Sequence, residues 1–307
     1  MSKNSSGIMR QKPMTPWMYL LPALIVMITF IVYPGFNTFY LSLRNNDNSG
    51  WASTRCLAGQ PCWGVFENYR YALTSPIMQT AFLNNLKWII LMVSGTVVLG
   101  LLIAVLADRV KYEALAKSLI FLPMAISFVG AGVIWKFMYN YGSSQVQIGV
   151  LNAIITALGG QPVSWLTEPQ INTVALIVVG VWMWTGFCMT VLAAALKGVS
   201  EEILEASRVD GANEWQVFWK IMVPQILPTI TVVITTMVIN VLKIFDIVYV
   251  MTGGNYGTEV IANRMYIEMY KNYDPGRASA IAVILIIVII PVMIMNIRRF
   301  QRQEEMR

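Results

Sequence analysis

Six stretches of this chain carry no charged residue over a length that can cross a bilayer, which sets aside soluble architectures at once. They cover residues 13–43, 88–107, 118–135, 171–196, 221–242 and 278–297. A helix needs about 20 mostly apolar residues to span the hydrocarbon core. The 118–135 window is short but is prolonged by apolar residues on both sides. All six runs are continuously apolar and lack the period-two alternation of a membrane barrel. Only 12% of the 307 residues are charged and 56% are hydrophobic, roughly half the charge of an ordinary soluble domain. The expected fold is an all-α integral membrane protein of six transmembrane helices, over about 17–43, 86–107, 118–138, 171–196, 221–244 and 278–297. A 1–16 tail, a 44–83 loop, a 198–220 loop and a 298–307 tail lie outside these spans.

Charge fixes the expected orientation. An even number of spans puts both termini on one side, and both are basic: Lys3, Arg10 and Lys12 before the first span, Arg298, Arg299, Arg302 and Arg307 after the last. The positive-inside rule makes both ends cytoplasmic. The 108–117 loop agrees through Arg109, Lys111 and Lys117. The first apolar run is too long for a signal peptide and has no small-residue cleavage site, so it reads as a retained span. The net charge of +6 is this topology signal. No folded basic domain supports a nucleic-acid partner, and membrane lipid surrounds the spans.

The 44–83 loop then faces outward. It carries Cys56 and Cys62 in "CLAGQPC", where an oxidising exterior favours a small disulfide loop. Two free thiols are the other reading, and a zinc site would want more ligands. Cys188 lies in the fourth span as a small packing residue.

The chain contains no histidine and no glycine-rich phosphate loop. Most hydrolase and redox designs are removed with the histidine, so no catalytic residue, metal ligand or cofactor is assigned to this chain. An intramembrane enzyme would want paired carboxylates, which the spans lack. A stand-alone carrier or channel would show repeats or buried ionisable groups, and neither is detected.

The densest polar stretch, "EASRVDGANEWQVFWKIMVP" over 205–224, separates the fourth and fifth spans. Ser200 is placed to cap a helix whose first turn holds Glu201 and Glu202. That helix reaches about Val209 and stops at Gly211, a residue suited to a left-handed C-terminal cap. Asn213 with Gln216 spells a capping box for a second helix. Its Trp215, Phe218, Trp219 and Met222 form one apolar stripe. Physics alone leaves two readings level, a helix that docks a partner and an interfacial loop with none.

The stretch resembles the "EAA" motif of permease subunits in bacterial ABC importers. Glu205-Ala206-Ser207, Gly211 and Ile221-Met222-Val223-Pro224 stand at that motif's spacing, with Ser207 for alanine and Val223 for leucine. The resemblance implies a cytoplasmic coupling helix that docks into a separate ATPase subunit, with Glu205, Ala206, Ser207, Asp210, Gly211, Ala212, Ile221 and Pro224 as its functional residues. Further stretches are similar to the maltose-type, carbohydrate-uptake branch: "YLLPALIVMITFIVYPGFNTFYLSL" (19–43), "VFENYRYAL" (65–73), "YGSSQVQIGVLNAI" (141–154), "VDGANEWQVF" (209–218), "FDIVYVMTGG" (245–254) and "GRASAIAVIL" (276–285). Asn255 departs from the proline usual after the two glycines. The family implies a second, different permease subunit, two ATPase subunits that bind ATP and Mg, and an extracytoplasmic sugar-binding protein at the bacterial inner membrane. The 44–83 loop resembles that of the larger-loop subunit of such pairs, though it is short for that role.

Such a permease would carry a sugar, of disaccharide or glucoside type by the same resemblance. Asn84, Asn85, Trp135, Trp182, Trp184, Thr185 and Asn240 offer amides and aromatic faces without a buried charge pair. Trp184, Asn240, Thr185 and Trp135 are the expected substrate path. The competing readings are interface anchoring for the tryptophans and helix bridging for the polar residues. Lys243 and Asp246 are expected to gate or anchor.

Overall fold

The computed structural model describes residues 15–57, 61–108, 110–142 and 149–305. Every regular element among them is helical, apart from one isolated bridge between Arg44 and Trp51. Five helices are long and apolar enough to cross a membrane: α1 (Trp17–Ser42), α3 (Pro76–Asp108), α7 (Asn172–Lys197), α9 (Glu214–Leu242) and α12, whose apolar part is Pro275–Arg298. Between α1 and α3 lies α2 (Glu67–Thr74). A bent pair, α4 (Glu113–Ala125) and α5 (Phe128–Met138), meets at 98° and makes a sixth passage if the two halves are one broken span rather than a re-entrant loop. The shorter helices are α6 (Val150–Ala157), α8 (Glu201–Val209), α10 (Asp246–Met251) and α11 (Ile261–Tyr270).

The bent pair differs from the single helix expected over 118–138. Ile126 and Ser127 are extended, and the Ser127 hydroxyl accepts from the Gly130 amide at 3.1 Å, starting a new helix. An N-cap of this kind ends one helix as firmly as it begins the next. Two boundaries also move. α3 begins at Pro76, well before residue 86, and the last helix continues to Glu305, so the 298–305 tail prolongs it.

Prolines shape two spans. Pro34 and Pro224 each follow a wide π turn, over Ile28–Val32 and Phe218–Met222. Proline has no N–H to close the i→i−4 bond, and its ring crowds that carbonyl. The preceding turn therefore opens by one residue.

The main core is built on α7, with Leu176, Met183, Met189 and Leu192 buried against Trp88 and Met92 of α3 and Met237 of α9. Small residues set the approach of α3 to α7. A Cβ on Gly100 would lie 2.7 Å from Cys188 Cβ and 2.9 Å from the Met189 amide, so Cys188 is a packing residue pressed on bare backbone. Residues 44–57 and 61–66 flank α2 and are tied to the helices. Arg55 donates twice to Asp274, at 2.5 and 2.7 Å, and the Asn68 amide donates to the Ser42 and Arg44 carbonyls at 2.8 and 2.7 Å. Cys56 and Cys62 are joined as a disulfide, with Cα atoms 5.5 Å apart.

Candidate functional site

The polar stretch between α7 and α9 forms a rigid elbow whose shape is fixed by backbone bonds. α8 closes with a Schellman motif. The Ala212 amide donates to the Ser207 carbonyl and the Gly211 amide to the Arg208 carbonyl, both at 3.0 Å. This closure requires a left-handed residue, and Gly211 has φ +87°. α9 then opens with a full capping box: Gln216 N–H donates to Asn213 Oδ1 at 2.9 Å, and Asn213 N–H to Gln216 Oε1 at 3.0 Å. Two capped ends separated by a single turn leave little freedom in the angle between the helices. Arg208 adds an exposed ion pair to Glu214 at 2.8 Å, of the kind that contributes little. Ser200 sits at the N-cap position of α8 without a side-chain bond.

The faces of the elbow are distinct. Ser207 is buried, its hydroxyl bonded to the Leu204 carbonyl at 2.7 Å. Leu204 packs on the main core. Glu205, Ala206, Asp210 and Gly211 are exposed, and Val209 is 87% exposed. Ala212 and Ile221 are half-buried, and Pro224 is exposed. Val217 is the residue of α9's first turns that turns inward, while Trp215 and Trp219 remain exposed. Two members of the aromatic stripe, Trp215 and Trp219, therefore face away from this chain's core, while Phe218 and Met222 are half-buried.

A charge cluster braces the root of the elbow. Lys197, at the end of α7, contacts Glu113 at 2.6 Å and Asp108 at 3.3 Å, and Lys117 also pairs with Glu113. Bonds from Lys117 and then Lys197 pull the Glu113 carboxyl down to about 2. The ends of α3, α4 and α7 are thereby held at one point beside α8.

The expected substrate path is less unified. Trp135 lies edge-on to Trp182 at 5.6 Å, and Trp184 stacks with Phe128 at 6.1 Å, so α5 and α7 share an aromatic seam. Thr185 is buried and donates within its own helix to Val181 O at 2.6 Å. Asn240, half-buried on α9, donates to Thr236 O at 3.0 Å. Asn84 and Asn85 are structural. Asn84 donates to the Gly257 and Glu259 carbonyls at 2.6 and 2.9 Å, and Asn85 Oδ1 accepts from the Ile261 amide at 2.9 Å at the start of α11. They fasten the 252–260 loop to α3. Burial pushes the Glu259 carboxyl in that loop upward, opposed by its bond from Asn263. Asn255 caps its own turn, donating to Thr252 O at 2.9 Å.

A cavity of about 420 Å³ opens at the end of α9 remote from the elbow, lined by residues that include Lys243, Phe245, Met265 and Tyr266. None of the four expected path residues lines it. Cys56, Cys62 and Glu67 bring their ligand atoms within 4.8 Å of one another, but the two sulfurs are bonded to each other.

Residues 12–302 match the family model of binding-protein-dependent transport system inner membrane components. The chain belongs to that family. The permease is 52% identical over 291 residues to the osmoprotective compounds uptake permease protein GgtC of Synechocystis sp., covering 94% of this chain and all of that one. It is 45% identical over 290 residues to the alpha-glucoside transport system permease protein AglF of Rhizobium meliloti, covering 94% and 83%. A bacterial ABC transporter that imports the acidic polysaccharide alginate shares the fold, with a TM-score of 0.75 at 22% identity over 92% of this chain and 95% of that one. The permease is thus an ABC transport subunit of the inner membrane.

Proposed function

We propose that the permease carries a neutral glucoside-type sugar into the cell, driven by a separate ATPase that docks on α8. The observation that carries this reading is the elbow, where the capped C-terminal end of α8 meets the capped start of α9, with Glu205, Ala206, Val209 and Asp210 displayed outward. A helix exposed on nearly every side but firmly aimed is suited to receive a partner. The relative named for alpha-glucoside transport supports a glucoside cargo, and the absence of a buried charge pair among Trp135, Trp184, Thr185 and Asn240 supports an uncharged one.

In this reading both termini and the elbow face the cytoplasm, and the disulfide-closed 44–66 segment faces outward. A second, different permease subunit completes the path, two ATPase subunits bind ATP and Mg, and an extracytoplasmic sugar-binding protein delivers the cargo. α7 and α9 flank the elbow and transmit its motion by the shortest rigid route. Trp184 and Thr185 on α7 and Asn240 on α9, with Trp135 on the neighbouring α5, form the path through the membrane.

The test is purification from the native membrane, followed by reconstitution with a panel of labelled sugars. Co-purification of an ATPase and ATP-dependent uptake of an α-glucoside are expected. A permease that purifies without an ATPase, yet moves solute down a gradient, would overturn the importer reading in favour of a stand-alone carrier.

A further inference from the structure

The cavity of about 420 Å³ at the end of α9 is an open groove whose chemistry is divided. Its apolar wall is Ala282, Leu285, Ile286 and Ile289 of α12, two helical turns without a polar side chain. From Ala282 to Ile289 this wall extends about 10 Å along the span at 1.5 Å per residue. Lys243 lines the same groove as the residue that closes α9. Its side chain is exposed and has no hydrogen bond or ion pair among the described residues, and Asp246, the nearest acid in sequence, is not paired with it. A second ammonium, Lys271, lies over the Tyr249 ring at 5.3 Å. Tyr249 in turn packs on Phe245 and Tyr266 at the rim, with centroids 5.1 and 4.9 Å away. The groove is therefore apolar along its length and cationic at one end. Tyrosines cluster where a membrane protein meets the lipid headgroups, so Tyr249, Tyr266 and the exposed Tyr270 set Lys243 near that depth.

We propose that the groove holds an acyl chain of an anionic phospholipid whose phosphate pairs with the Lys243 ammonium. The chain lies along Ala282, Leu285, Ile286 and Ile289, and the headgroup sits in the field of Lys243 and Lys271. Charge decides between this occupant and an apolar helix of another subunit. A helix packed into the groove would cover Lys243 and leave its ammonium without a partner, which is costly. A lipid leaves that ammonium at headgroup level, where a lysine buries its stem and keeps its charge solvated. Charge also decides the class of lipid. A zwitterionic headgroup brings its own ammonium toward two lysines, whereas an anionic one brings only the complementary sign. The site concerns the lipid and not the cargo, so it stands whichever solute is carried.

The experiment places a small fluorophore beside the groove of the complete transporter in proteoliposomes. Ile290 is 44% exposed and stands one turn from Ile286 on the same face of α12, so Ile290→Cys carries the label without filling the groove. Cys188 is buried and does not compete for it. Quenching is titrated with phosphatidylglycerol and with phosphatidylcholine, each brominated on its acyl chains. One lysine near a membrane surface favours an anionic lipid by about fivefold, so phosphatidylglycerol should quench at about one-fifth the mole fraction that phosphatidylcholine needs. Lys243→Gln, at an exposed position, should bring the two lipids level while both still quench. Ala282→Phe, which fills the groove, should also abolish the preference. A preference that is absent with Lys243 in place, or that survives Lys243→Gln, overturns the site. Failure of both lipids to quench shows that another subunit covers this face, and overturns it equally.

Discussion

Gly211 offers the cleanest perturbation of the elbow, because its side-chain position is empty space. A Cβ built there meets nothing within 4 Å, while the backbone holds φ +87°. Substitution therefore creates no clash, and its whole cost is conformational. An ordinary L-residue pays about 1–2 kcal/mol in the left-handed region, asparagine less, and a β-branched residue more. One to two kcal/mol changes the ratio of aligned to misaligned elbow about 5- to 30-fold. Helix α8, nine residues long, is too short to hold itself without its cap. The expected order of coupling is Gly, then Asn, then Ala, then Val. The assay is ATPase co-purification alongside sugar uptake, both normalised to permease in the membrane. Insertion should be equal across the series, since the spans are untouched. Full coupling in Gly211→Val, or Asn no better than Ala, would show that the left-handed turn does not aim α8.

Two further outcomes follow from contacts inside the chain. Gly100→Ala places a methyl 2.7 Å from Cys188 Cβ and 2.9 Å from the Met189 amide, and should cost about 1–3 kcal/mol by overpacking. Thermal unfolding of the purified permease measures it, with Gly35→Ala, which meets nothing within 4 Å, as the unperturbed control. Glu113 is held at about 2 against an ordinary 4.5, so what it contributes is fully present above about 4.5 and is lost as pH falls through about 2. Association with the ATPase should then be the same at pH 7 and pH 5 as far as this group is concerned, whereas Glu113→Gln should weaken it at both. A wild-type loss between pH 7 and 5 that Glu113→Gln abolishes would refute the assignment.

The elbow was legible because its signals are local. Gly211, Asn213 and Gln216 act within a few residues and make the caps their chemistry predicts, while Ser200 holds the N-cap position without a side-chain bond. Long apolar runs announced the spans for the same reason, since bilayer thickness converts composition directly into length. The break at Ile126–Ser127 escaped a window count, because one serine cap inside an apolar run barely changes its composition. Asn84 and Asn85 follow the bridging alternative rather than standing free along the spans. Their partners are the Gly257, Glu259 and Ile261 backbone, far away in sequence. The same distance hid the aromatic cluster of Phe245, Tyr249 and Tyr266. Tyr249 and Tyr266 meet only after the 252–260 loop folds back, although the i, i+4 pairs on either side were visible.

That contrast has a mechanical consequence. The elbow is held by backbone bonds within a short segment, so it can move as one body without breaking them. The opposite end is held by contacts between segments: Arg55 to Asp274, Asn84 to the 252–260 loop, and Asn172 to the Tyr256 carbonyl at 2.8 Å. Helix α9 joins the two ends over 29 residues, roughly 43 Å at 1.5 Å per residue. Its wide turn at Phe218–Met222 sits beside the elbow, where a helix bends most readily. A push on α8 is therefore absorbed first at that turn, and the remainder travels along α9 to Lys243 and Phe245. Those residues line the cavity. Under the proposed function, a motor docked on the elbow would reach the cavity wall through one helix, without dismantling the bonded loops around it.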